Sequence, residues 1–95
     1  MVELKDELLA AWCRRHANRC QYVLHDICQL YDDGVWVIGI AFLFTRDAFP
    51  EMPEKAGNFL LWFWNESYVT ICDSEAEARE VFEDAVDEDN PAYYL

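Results

Sequence analysis

Two stretches of the chain are apolar on both of their alternating faces, and they frame everything else. Residues 35–45 (VWVIGIAFLFT) are β-branched and aromatic, with an apolar run broken only by Gly39. Residues 59–64 (FLLWFW) have the same character: in an extended chain Phe59, Leu61 and Phe63 point one way and Leu60, Trp62 and Trp64 the other. A strand buried on both faces belongs at the centre of a sheet covered on both sides. A turn at Asn65-Glu66-Ser67 then leads into a further predicted strand over residues 68–72 (YVTIC).

The flanking segments follow other periods. Leu4, Leu8, Ala11, Trp12 and Arg15 recur at steps of three and four, which predicts a helix over residues 3–18 with Leu4, Leu8 and Trp12 on one stripe. Its acids come early and its arginines late, as the backbone dipole favours, and Asn18 suits a left-handed C-terminal position. Residues 20–31 fit two patterns. As a helix, Val23, Leu24, Ile27, Leu30 and Tyr31 share a face; as a strand, Tyr22, Leu24, Cys28 and Leu30 do, with Asp26 interrupting. The strand is preferred because Asp32-Asp33-Gly34 follows at once, and Asp-Gly ahead of a β-rich run signals a hairpin. Pro50, Pro53 and Gly57 mark residues 47–58 as a loop. Ser74-Glu75-Ala76-Glu77 matches the capping box, opening a second helix with Ala78, Phe82, Ala85 and Val86 as its buried stripe and an end near Asp87.

The order α-β-β-β-β-α predicts a single α+β domain over residues 1–95, a two-layer sandwich of a four-stranded antiparallel sheet and two helices, with residues 88–95 as an acidic and aromatic tail. Four strands at about 4.8 Å spacing span about 19 Å, so two helices each about 10 Å across cover one face only. One aromatic-rich face is then left over, which predicts a homodimer through the sheet or a partner docked there. The alternative is that the 47–58 loop, with Phe49, Met52 and its prolines, folds back over that face.

Charge changes the picture most at the C-terminal end. The formal net charge is −12, and from Glu66 onward ten acids face the single base Arg79. The first 22 residues hold Lys5, Arg14, Arg15 and Arg19 against Glu3, Asp6 and Glu7. Such a field repels nucleic acid and anionic membranes and steers the protein toward a basic partner. A hydrophobic fraction of 54% excludes intrinsic disorder. No run approaches the roughly 18 apolar residues of a membrane span, and the first residues lack a secretory pattern. A cytoplasmic location with reduced cysteines is therefore expected.

Candidate chemistry centres on the second helix. Glu77, Glu80, Asp84 and Asp87 are spaced three, four and three, forming a row with steps of about 5–6 Å, flanked by Glu83 and Glu88. Such a row approximates the charge density of a nucleic-acid strand and suits a groove lined by Lys and Arg. The plain alternative is a solvated face kept acidic for solubility. Trp62, Trp64, Tyr93 and Tyr94 are candidate aromatic anchors, although a tail packed back on the sheet accounts equally for the two tyrosines.

Cys13, His16, Cys20, His25 and Cys28 fall short of a zinc pattern, since no Cys-x2-Cys knuckle is present. Cys13 and His16 lack a recognisable orienting group or oxyanion site, and three glycines provide no phosphate loop. No cofactor, metal or catalytic residue is expected. No family motif is recognised.

The expectation is a non-enzymatic acidic inhibitor that docks on a partner's basic nucleic-acid-binding surface through Glu77, Glu80, Glu83, Asp84 and Asp87, with a phage anti-CRISPR-type protein as the most concrete case. That choice among inhibitors rests on what small acidic proteins commonly do, not on particular residues. The alternatives are an immunity protein against a basic nuclease toxin, an acidic subunit of a complex, or a small zinc-binding or regulatory module.

Overall fold

The computed structural model describes residues 1–29, 36–64 and 66–87. Its order is β1 (Val2–Lys5), α1 (Glu7–His16), a 3-10 turn (Ala17–Arg19), β2 (Val23–Gln29), β3 (Trp36–Thr45), a second 3-10 turn (Glu54–Ala56), β4 (Phe59–Phe63), β5 (Tyr68–Cys72) and α2 (Glu75–Asp87). The strands form one antiparallel sheet in the order β1-β5-β4-β3-β2.

The predicted α+β class holds, but the first element is corrected. Residues 2–5 are a strand, paired Val2↔Ile71 and Leu4↔Val69, so the sheet has five strands rather than four. Asp6 is the cause. Its backbone is extended (φ −142°, ψ 97°), and its carboxylate accepts the amides of Leu8 at 3.1 Å and Leu9 at 3.0 Å. The Lys55 ammonium, 2.8 Å from the other oxygen, holds that carboxylate below its ordinary pKa. A capped start at Glu7 turns the helix so that Leu9, Ala10, Trp12 and Cys13 are buried. Leu8, placed on the predicted stripe, is 78% exposed.

The layering is also corrected. The two helices lie on opposite faces of the sheet, giving helix, sheet and helix rather than two layers. On one face α1 packs with Phe44, Leu60, Trp62 and Val69. On the other, Ala78, Phe82, Ala85 and Val86 of α2 pack with Ala41, Leu43, Leu61 and Phe63. Phe82 stacks on Phe63 with ring centres 5.7 Å apart. The four α2 residues are those the stripe predicted.

The loop completes the α1 side. Phe49 and Met52 are buried there, with Phe49 edge-on to Trp12 at 5.8 Å and to Phe44 at 5.2 Å. The folded-back loop therefore accounts for the second face, and the premise of an uncovered aromatic face falls.

The preferred strand for residues 20–31 corresponds to β2, paired with β3 from Val23↔Phe42 to Gln29↔Trp36. The Asp32-Asp33-Gly34 turn lies outside the described residues. From Ile40 back to Trp36, β3 is paired with β2.

Arg46 holds the loop in shape. Its guanidinium donates to the carbonyls of Gly57 (2.6 and 3.1 Å), Pro53 (3.0 Å) and Met52. Gly57 has φ +67°, and a Cβ there would meet Ile71 Cγ2 at 3.2 Å, so a side chain is excluded by both strain and space. Charge-assisted bonds from one half-buried fork are worth more than neutral ones, and removing the donor leaves several carbonyls without it together. Arg46→Ala is expected to lower unfolding free energy by about 2–4 kcal/mol, read from urea midpoints at constant slope.

A candidate acidic docking face

Helix α2 begins as the capping box requires, with one displacement. Ser74 Oγ accepts the Glu77 amide at 3.1 Å, while the Glu77 carboxylate reaches the amide of Asp73 at 3.3 Å, one residue upstream of the cap. The same carboxylate lies 3.2 Å from the Met1 amine and raises that amine's pKa. Glu77 is therefore committed within the fold. Glu75 is committed as well: it accepts the Tyr22 hydroxyl and sits 3.6 Å from Arg79, whose guanidinium lies over the Tyr22 ring.

Three candidate acids remain available. Glu80, Glu83 and Asp84 are exposed and have no ion pair among the described residues. No base occupies the last turn of α2 to offset the helix dipole. The side chain of Asp87 and both Tyr93 and Tyr94 lie outside the described parts of the structure.

Asp84 has neighbours that the sequence pattern did not show. A pocket of about 180 Å³ opens between α2 and the β1–β5 side of the sheet. Three carboxylates line it: Asp84 from α2, Glu3 from β1 and Glu66 from the β4–β5 turn. Phe63, Val81 and Ala85 supply apolar wall, Tyr68 is 45% exposed at the pocket, and Thr70 of β5 lines it from the sheet. The pocket follows from widths. Five strands span about 24 Å and a helix about 10 Å, so α2 leaves a margin of sheet uncovered. Partial burial pushes the Glu66 carboxyl up, and the charge of Glu3 adds to this, against a backbone hydrogen bond from Ser67.

The aromatic candidates separate. Trp62 is only 2% exposed, stacks on Phe42 at 5.6 Å and donates its indole N–H to the Glu66 carbonyl at 2.7 Å. It is core, which corrects its assignment as an anchor. Trp64, one residue past the strand, is 39% exposed. Glu3, Glu66, Tyr68 and Thr70 were missed. Glu3 was assigned to a helix, and its alternation with Val2 and Leu4 was the available signal.

Cys13, Cys20, Cys72 and His16 are placed for packing, whereas His25 is exposed and the Cys28 side chain lies outside the described parts. Burial pushes the Cys13 thiol up to about 12 and the Cys72 thiol up to about 11. Cys20 is buried, with its Sγ 3.3 Å from the Leu43 carbonyl. His16 stacks on Trp12 at 4.1 Å and bonds its carbonyl through Nδ1 at 2.7 Å. Among the described residues, no group of three or more His, Cys, Asp or Glu side chains is placed to hold a metal ion. Nor is any described helix long and apolar enough to cross a membrane.

No protein-family model, curated protein or solved structure matches this chain.

Two expectations follow from this geometry. Trp62→Ala should cost about 3–5 kcal/mol of stability, and Trp64→Ala less than about 1 kcal/mol, by denaturant titration. Glu66 binds its proton more tightly folded than unfolded, so its ionisation removes stability as pH rises from its ordinary 4.5 through the higher folded value. Glu66→Gln should therefore raise Tm at pH 7, with the gain shrinking toward zero near pH 4.

Proposed function

We propose that this chain is a non-enzymatic docking protein whose α2 carboxylates occupy a Lys/Arg-lined, nucleic-acid-binding surface of a partner protein. The observation that carries this reading is the set Glu80, Glu83 and Asp84, exposed on one helix and without an ion pair among the described residues. Their mutual repulsion costs the helix a few tenths of a kcal/mol per pair, and the missing C-terminal base forgoes a further stabilisation. A cationic partner surface offsets both. Trp64 and Tyr68, exposed large aromatics, provide apolar contact beside the charge. An anti-defence inhibitor of the anti-CRISPR type is the concrete form of this reading, supported by small size and acidity alone. The chain's own field disfavours direct contact with nucleic acid.

The test uses the immobilised chain and its E80Q/E83Q/D84N variant against a lysate at about 0.05 M salt. The expected result is a captured nucleic-acid-binding protein that leaves as salt rises to about 0.5 M, is displaced by added duplex DNA or RNA, and is not retained by the variant. Capture that is flat with salt, indifferent to nucleic acid or undiminished in the variant overturns the proposal. The variant should fold at least as stably as the parent, because it removes like-charge repulsion.

A further inference from the structure

The pocket between α2, β1 and β5 contains a group that a merely acidic surface does not require. Thr70 is 5% exposed and lines the pocket, and among the described residues its hydroxyl has no hydrogen-bond partner. It is nevertheless not sealed off from solvent, because no fully enclosed side-chain oxygen or nitrogen lacks a partner. The hydroxyl therefore meets the outside through the pocket it lines. Because it opens on the pocket and is not spent on another of the described residues, the hydroxyl is free to pair with whatever enters.

What enters is constrained by the walls. Glu3, Glu66 and Asp84 are all acceptors, and the hydroxyl can accept as well. The complement to such walls is a cation with several donors. The three carboxylates do not converge as metal ligands do, which suits a cation larger than a bare ion. A volume of about 180 Å³ is below the roughly 300–1,000 Å³ of sites for drug-sized molecules and matches one long side chain. Phe63, Val81, Ala85 and the Tyr68 ring offer apolar surface to the stem of such a side chain. A planar guanidinium with donors in a fixed fork serves separate acceptors at once, whereas an ammonium is a compact, strongly hydrated point charge.

We propose that this pocket receives a single arginine side chain of the partner protein, its guanidinium shared among Glu3, Glu66, Asp84 and the Thr70 hydroxyl. This deepens the docking reading given above and rests on it for the source of the arginine. Met1 also lines the pocket, and its amine is paired with Glu77. Burial, with the charge of Glu3 adding to it, raises the Glu66 pKa in the free protein, and a cation seated beside it acts in the opposite direction.

The experiment is an amide NMR titration of the full chain with N-acetyl-arginine amide, with the lysine counterpart and with magnesium and calcium ions. Saturating shifts at Thr70, Tyr68, Val81 and Ala85 are expected for arginine, with lysine about fivefold weaker. Thr70→Val, close to isosteric and suited to a strand, should weaken arginine binding about fivefold, while Thr70→Ser keeps it. Shifts that never saturate, an equal response in Thr70→Val, or saturation by a divalent ion and not by arginine overturns the pocket proposal. Failure here with lysate capture still lost in E80Q/E83Q/D84N leaves the docking reading standing. Saturable arginine binding with capture undiminished in that variant removes the docking reading and keeps the pocket.

Discussion

Two adjacent central strands, β3 and β4, carry large apolar side chains on both faces, and water has to be kept from both. Every larger feature answers that requirement. Phe44, Leu60 and Trp62 need one cover, Leu43, Leu61 and Phe63 another, and the chain provides α1 with the 47–58 loop for the first and α2 for the second. The loop covers its share because Arg46 ties three of its carbonyls together and Gly57 allows close approach to Ile71. The fold thus depends on a polar clamp at a position where a connecting segment has to act as core.

The central strands were legible because their composition admits few other readings. Residues 59–63 and 68–72 form as the pattern indicated, and the stripe of α2 lies where a 3.6-residue period places it. The N-terminal segment was not legible from periodicity alone. Leu4, Leu8 and Trp12 keep helical steps across a point where the Asp6 carboxylate caps the backbone. Leu9, Trp12, Cys13 and His16 keep the same steps without crossing the cap, and Leu9, Trp12 and Cys13 are the buried ones. Spacing fixes a face only after the start of the helix is known.

The division of the helices between the two faces was beyond the pattern for a different reason. Alternation in β3 and β4 states that both faces are covered and is silent on what covers them. Trp62 and Trp64 share the parity of one face, and only the end of β4 at Phe63 separates core from surface. The pocket was invisible in turn because Glu3, Glu66, Thr70 and Asp84 come together only when β1 joins the sheet beside β5. A reading without β1 has no second wall for it.

Acidity by itself admits two explanations, and the sheet margin separates them. A solvated face requires only that charges such as Glu80 and Glu83 stand on the open side of α2. It does not account for carboxylates from three separate elements gathered around one opening, with Glu66 partly withdrawn from water beside Glu3. Nor does it call for the Thr70 hydroxyl beneath them, since a valine there would suit the strand equally well. Charges kept for solvation gain from separation and full hydration. Here three are gathered over a hydroxyl, with Glu66 partly withdrawn from water, an arrangement that a multi-donor cation complements better than water-separated charges require.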